Sequence, residues 1–367
     1  MTATIRRIDV RPLRAELRRP WGPDVRDLTF LAVEVEDSDG AVGDGFSWTP
    51  TIGAASVRAM LEHDIRDWAI GRPADATEVW EPLWRHLHEA GGGGVTTIAM
   101  AGLDLALWDL AARRAGASVA DHLGRRRDRV RAYGSGINRH YPFDELVAQA
   151  ERWVAAGFDA VKVKVGLPDL ADDVARVRAV REVIGPDRGL MIDANQLWTL
   201  DQALRAVDAL APFGLRWIEE PLRADDLASH QRLAAHLRLA DAFDVPIAVG
   251  ENLYTRYRFA EYIDAGVARI VQPNIVRVGG ITPFLEIAKL AESRGVQLAP
   301  HLLLDLSAQL AMAVPQEIAV EAAEDASLAE LGVLADDPPV AVDGGWARDT
   351  SQVGLGLRLA ASVPTPA

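Results

Sequence analysis

The chain has 367 residues, with 39 basic against 53 acidic side chains, a formal net charge of −14 and no cysteine. That balance argues against nucleic acid or an anionic membrane as the main partner, and the missing cysteine excludes disulfides, thiolate nucleophiles and cysteine metal sites. The N-terminus has no apolar signal core, and no run approaches the ~18 apolar residues of a membrane span, so a cytoplasmic protein is expected.

Residues 1–128 read as an α+β domain. IRRIDVRPLRAEL and LTFLAVEVEDSDGAVGDG have the alternation of antiparallel strands, with a turn at DSDG. VRAMLEHDIRDWAIG and TTIAMAGLDLALWDLAARRAG are helical, and GGGG at 91–94 interrupts them. His86 and His88 are spaced i, i+2, do not share a helix face and are read as surface residues.

From about residue 130 the chain settles into a rhythm. Short strands are predicted at 130–135, 160–165, 189–193, 215–219, 246–250, 268–272, 296–300 and 317–321. Amphipathic helices separate most of them, for example ADDVARVRAVREVIG and ITPFLEIAKLAESRG. Eight strands alternating with helices predict an α/β fold, a modified (β/α)8-type, TIM-like barrel, over residues 129–330. Residues 331–367 have strand character and are expected to return to the N-terminal capping domain.

In such barrels the reactive groups sit at the C-terminal ends of the strands. This chain puts Ser135, Lys164, Asp193, Glu219, Glu251, Asn274, His301 and Glu321 there. Asp193, Glu219 and Glu251 end three successive strands, so their carboxylates converge and repel unless a cation neutralises them. Hard oxygen donors of this kind suit Mg2+, a structural salt-bridge network being the rival reading. In DAVKVKVG, Val161, Val163 and Val165 share one face and Lys162 and Lys164 the other. Taken alone, that strand reads equally as an edge strand with solvated lysines. Beside the carboxylates, Lys164 on one face and His301 on the other form an arrangement for moving the α-proton of a carboxylic acid.

These residues resemble the enolase superfamily, and within it the mandelate racemase-like subgroup. The resemblance rests on AGLDLALWDLAARRAGASVADHLG (101–124), MIDANQLW through WIEEP (191–221), GEN (250–252) and the KVK and APHLLLDLSAQLA segments. It implies Asp193, Glu219 and Glu251 as Mg2+ ligands, Lys164 as base, and Lys162 as a contact to the substrate carboxylate. It further implies His301 as the group on the opposite face and Glu321 as the carboxyl that hydrogen-bonds the substrate carboxylate as it becomes an enediolate. Asn195 and Ser135 are expected among the substrate contacts. A small carboxylic-acid substrate and a homo-oligomer also follow from the resemblance.

One position departs from the subgroup. Its members usually carry aspartate where this chain has Asn274, the partner of His301. An asparagine is expected to accept the imidazole N–H without stabilising imidazolium as a carboxylate does. A weakened histidine side handicaps two-base racemisation more than elimination. Dehydration of a sugar acid to a 2-keto-3-deoxy acid is therefore preferred over racemisation or epimerisation, with a non-catalytic binding protein as the third reading. The loops at 18–24 and 45–51 are expected to close over the mouth, with Trp21 and Trp48 lining the pocket or packing the capping domain.

Overall fold

The computed structural model describes residues 3–22, 24–137, 139–239, 245–350 and 352–363. Pro23, in the first capping loop, and residues 364–367 of the C-terminal segment lie outside the described residues.

Strands β1 (Ile5–Glu16), β2 (Asp27–Asp37) and β3 (Val42–Thr49) form an antiparallel sheet in the order β1-β2-β3. Asp37 closes the DSDG turn, its Oδ1 accepting from the backbone N–H of Asp39 and Ala41 at 2.9 and 3.0 Å. The helix Val95–Arg114 lies across β3, where Gly43 and Gly45 admit it: a Cβ there would sit 2.1 Å from the Ala106 carbonyl oxygen and 2.4 Å from that of Gly102. This helix, 20 residues with a mean hydropathy of 1.4, is long and apolar enough to cross a membrane, contrary to the expectation from the sequence. Its most apolar window is 83% buried inside the fold, as a core helix would be.

The LDLALWDL motif within that helix carries two buried aspartates. Asp104 reaches across to the helix Ile281–Ser293, accepting from Thr282 Oγ1 at 2.5 Å and from the Thr282 N–H at 3.1 Å. Asp109 accepts from the Asp44 N–H at 2.8 Å and the Leu355 N–H at 2.6 Å. Both aspartates satisfy backbone donors that would otherwise be buried and unpaired.

Eight parallel strands follow: β4 (Arg129–Ser135), β5 (Ala160–Lys164), β6 (Gly189–Asp193), β7 (Leu215–Glu219), β8 (Ile247–Val249), β9 (Ala268–Val271), β10 (Gln297–Leu298) and β11 (Ala319–Ala323). Each of β4 to β9 pairs with the next, and β11 pairs with β4 on the edge opposite β5. Between β10 and β11 there is no ladder among the described residues, but the Leu302 N–H donates to Glu321 Oε2 at 2.9 Å across that gap. A separate apolar layer confirms the curl. Tyr133, Ala160, Met191, Trp217, Ala248, Ile270, Ala299 and Ala319, one from each strand or its continuation, pack together apart from the outer core. Side chains meeting this way fill the inside of a barrel.

Among the described residues seven α-helices join these strands on the outside, several started by side-chain caps such as Asp169 and the Thr199–Gln202 capping box. The segment 331–367 divides its contacts. Strands β12 (Val340–Asp343) and β13 (Trp346–Asp349) form a hairpin, and β13 pairs antiparallel with β4 of the barrel, not with the β1–β3 sheet. Beyond it, Arg11 Nη1 and Nη2 donate to the carbonyls of Ala361 and Leu359 at 3.2 Å.

Candidate active site

Alternation along the strands sets the site. Lys162 and Lys164 of β5, Asp193 of β6 and Glu219 of β7 all point inward, and ladder register places Lys164 opposite Asp193 and Asp193 opposite Glu219. Glu251 follows β8, and Gly250 before it lets that strand end run against the next: a Cβ there would lie 2.6 Å from the Gln272 backbone. His301 follows β10, and Glu321 lies within β11.

The contacts form one buried network. Lys162 Nζ lies 2.7 Å from Glu219 Oε1, 2.8 Å from Glu321 Oε1 and 3.7 Å from Asp193 Oδ2, with its side chain fully buried. Lys164 Nζ lies 2.5 Å from Asp193 Oδ2, with its side chain 10% exposed. Glu219 Oε2 accepts from Gln272 Nε2 at 2.6 Å and Trp217 Nε1 at 3.3 Å. Arg277 Nη1 lies 3.2 Å from Glu251 Oε1, and His301 Nε2 lies 3.4 Å from Glu251 Oε2.

Charge here is in unequal supply, since four carboxylates face two lysine ammoniums and the Arg277 guanidinium in this network. Burial works against the charge on Lys162, but Glu219 and Glu321 hold its pKa well above the ordinary lysine value. Burial likewise pushes Glu321 up, yet Lys162 and its other cationic neighbours bring it well below the usual carboxylate range. Glu219, sharing Lys162 with Glu321, is pushed up by burial and by the charges of Asp193 and Glu321. Burial lowers the His301 pKa. A further carboxylate, Glu220, is buried beside Glu219, accepts from Asn252 Nδ2 at 2.8 Å and is pushed well up, by burial first and then by Glu251.

The donor set fits a hard divalent cation. Asp193, Glu219 and Glu251 offer oxygen only, and Glu251 Oε2 is buried with no hydrogen-bond partner among the described residues. Ligand atoms of Glu219, Glu251 and His301 all lie within 4.8 Å of one another, with Asp193 adjoining through the β6–β7 ladder. Backbone strain gathers at the same rim. All six non-glycine residues with positive φ among the described residues follow site strands: Asn195, Gln196, Glu220, Leu302, Leu303 and Asp325. Such conformations persist where the surroundings over-determine them.

Asn274 sits differently from expectation, and several other residues make contacts within the network. Asn274 does not accept from His301. Its Oδ1 accepts the Arg277 backbone N–H at 3.1 Å, and its Nδ2 faces His301 Nδ1 at 3.0 Å. The Ser135 hydroxyl is buried and donates to Glu321 Oε1 at 2.6 Å, so it positions that carboxylate. Glu321 has both oxygens engaged, Oε1 by Ser135 and Lys162 and Oε2 by the Leu302 N–H, which makes it an acceptor and an anchor for Lys162. Asn195 donates from its backbone to Asp193 Oδ1 at 2.8 Å and so orients that carboxylate. Trp48 is 5% exposed, stacks on Phe30 with ring centroids 6.2 Å apart and meets Trp21 edge-on at 6.3 Å. Both tryptophans thus pack on the capping-domain sheet, one of the two readings given for them, while Trp48 keeps a buried Nε1 donor without a hydrogen-bond partner among the described residues.

The sequence reading missed Gln272, Asn252, Arg277 and Glu220. Gln272 had a signal, lying two residues before Asn274 at the end of β9. Arg277 had none, because its role depends on how one loop folds back.

Comparison with known proteins agrees with this geometry. Residues 20–124 match the mandelate racemase/muconate lactonizing enzyme N-terminal domain, and residues 145–363 the enolase C-terminal domain-like family. The 3,6-anhydro-alpha-L-galactonate cycloisomerase of Streptomyces coelicolor is 40% identical over 312 residues, 85% of each chain. The L-talarate/galactarate dehydratase of Salmonella typhimurium is 37% identical over 293 residues, 79% of this chain and 72% of that one. A solved L-talarate dehydratase from Polaromonas, complexed with Mg and L-glucarate, superposes with a TM-score of 0.89 at 36% identity, covering 99% of this chain and 96% of that one. The chain belongs to the mandelate racemase/muconate lactonizing enzyme family of the enolase superfamily.

Proposed function

We propose that this enzyme removes the α-proton of a small sugar acid with Lys164 as base, and that the β-hydroxyl then leaves to give a 2-keto-3-deoxy acid. The observation that carries this reading is the unequal pairing of the two lysines of KVK. Lys162 is locked between Glu219 and Glu321 with Asp193 near, whereas Lys164 has one ion-pair partner among the described residues, Asp193, and is the more exposed.

The residues divide the work accordingly. Lys162 keeps its charge and offers a fixed cation to the substrate carboxylate. Asp193, Glu219 and Glu251 would hold Mg2+, which when bound supplies Lewis-acid stabilisation of negative charge developing on the substrate carboxylate. Lys164 has Asp193 as its one ion-pair partner among the described residues, and charge on Asp193 shared with a cation would make its neutral, proton-accepting form more accessible. The Cα–H bond breaks as its proton passes to Lys164 Nζ, the Cβ–O bond breaks, the departing hydroxide takes a proton from the Lys164 ammonium so formed and leaves as water, and the enol tautomerises to the ketone with a solvent proton at Cβ. The relatives named as sugar-acid dehydratases support the substrate class.

A second reading has a specific support in the relative named as a cycloisomerase, in which a ring oxygen would be the β-leaving group of a cyclic sugar acid. One screen tests both. Purified protein with Mg2+ is offered aldonates, aldarates, and anhydro and lactone sugar acids, and products are read by NMR. A 2-keto-3-deoxy acid from an open-chain acid supports dehydration, and the same product class from a cyclic acid alone supports ring opening. Inversion at the α-carbon without elimination contradicts both.

A further inference from the structure

We infer that His301 stands in this site as a fixed hydrogen-bond donor, its Nε2–H turned toward the substrate, and not as a second base or a metal ligand. Its consequence for the reaction rests on the α-proton chemistry proposed above; the tautomer itself rests on three atoms outside that chemistry.

The first is the backbone N–H of Arg277, 3.1 Å from one side-chain amide atom of Asn274. A backbone N–H only donates, so the atom facing it is the amide oxygen. The other amide atom is then the nitrogen, and it faces His301 Nδ1 at 3.0 Å. An amide nitrogen also only donates, so Nδ1 must present its lone pair. A neutral imidazole carries one proton, which is therefore on Nε2. Nε2 in turn lies 3.4 Å from Glu251 Oε2, a buried oxygen with no hydrogen-bond partner among the described residues.

The loop holds this orientation. The Val278 N–H bonds the Asn274 carbonyl at 3.0 Å, and the Gly280 N–H bonds that of Ile275 at 2.8 Å. Trp80 Nε1 of the capping domain bonds the Gly279 carbonyl at 2.9 Å. Arg277 works on both sides of the imidazole, because its guanidinium also donates to Asn252 Oδ1 at 2.6 Å and to the Glu251 carbonyl at 3.2 Å. It is a positioning residue. Rotating the Asn274 amide would set its NH2 against the Arg277 N–H, donor against donor.

Two functional consequences follow. A protonated Nε2 has no lone pair for a cation, so His301 is not a ligand although its ring nitrogen lies within 4.8 Å of Glu219 and Glu251 oxygens. For the same reason it does not accept an α-proton, so proton removal occurs on the Lys164 face alone.

The test is 15N NMR of histidine-labelled protein with Mg2+ bound, His301 being assigned by its loss in His301→Gln. The expected spectrum has a pyridine-type Nδ1 and a pyrrole-type Nε2, reversed in Asn274→Asp. A pyrrole-type Nδ1 in the unmodified protein overturns the inference, whether or not Asn274→Asp folds. With an acid that the turnover screen identifies, deuterium from D2O should enter one α-epimer only. Asn274→Asp should raise exchange into the other epimer about a hundredfold. Comparable exchange into both epimers by the unmodified protein overturns the one-face conclusion. The tautomer is read without substrate, so failure of the screen leaves this result distinct.

Discussion

Lys164 and Asp193 meet twice, as Cα partners in the β5–β6 ladder and as an ion pair with Nζ 2.5 Å from Oδ2. The backbone register thus sets the proposed base beside the first proposed metal ligand. It also makes the two functions compete for one carboxylate. Burial lowers the Lys164 pKa, but the charge of Asp193 and other neighbouring carboxylates raises it overall. A divalent cation that takes Asp193 removes that support, so the pKa must fall. Mg2+ binding should then release protons at alkaline pH, below the raised pKa that Lys164 has beside Asp193. Calorimetry in buffers of differing ionisation enthalpy should detect the release, and Lys164→Met should abolish it. Equal release from both proteins would show that Lys164 is not the linked group.

The two lysines should differ sharply when removed. Lys162 is fully buried between Glu219 and Glu321, and Lys162→Met leaves both carboxylates without their cation. That loss should cost about 3–5 kcal/mol of stability and all turnover. Lys164→Ala removes a partly exposed ammonium, leaving Lys162 near Asp193 at 3.7 Å. It should fold with little loss of stability while turnover falls by about 10²–10⁴. Denaturant midpoints of the two variants side by side check the contrast.

Asp104 should make stability pH-dependent near neutrality. Burial pushes its carboxyl up to about 7 from an ordinary 3.8, against the opposing effect of its hydrogen bonds from Thr282. For an acid raised by folding, the unfolded chain loses its proton first. Stability is therefore undiminished below about pH 4 and falls as pH rises toward 7. Asp104→Asn keeps a side-chain acceptor for Thr282 and should flatten that fall, recovering roughly 2–4 kcal/mol at pH 8. Urea midpoints from pH 5 to 8 for both proteins measure it, and parallel curves would contradict the assignment.

Much of this was legible in the sequence because period-2 alternation and strand ends carry the information. The predicted strands at 189–193 and 215–219 coincide with β6 and β7, so Asp193 and Glu219 fall where expected. Lys162 and Lys164 point inward because Val161 and Val163 point outward into the core. What alternation does not encode is which hydrogen bond a side chain spends. The sequence places Ser135 at a strand end among the expected substrate contacts but does not announce that its hydroxyl donates to Glu321 across the β4–β11 seam, a pairing 186 residues apart in the chain. An acceptor role is the natural expectation for Asn274, since nothing in VQPNIVRVGG says that the loop returns the Arg277 N–H to its oxygen. Trp48 sits in an alternating strand whose later residues are nearly all buried, so the pattern did not distinguish pocket from core.

The central claim is that Lys164 takes the α-proton of a sugar acid. Turnover of the screened substrate in D2O with Mg2+, by the unmodified protein and Lys164→Ala, tests it most directly by 1H NMR. The account predicts a 2-keto-3-deoxy acid carrying deuterium at C3 from the unmodified protein, and neither product nor α-exchange above about a hundredth of that rate from Lys164→Ala. Full turnover by Lys164→Ala would contradict it.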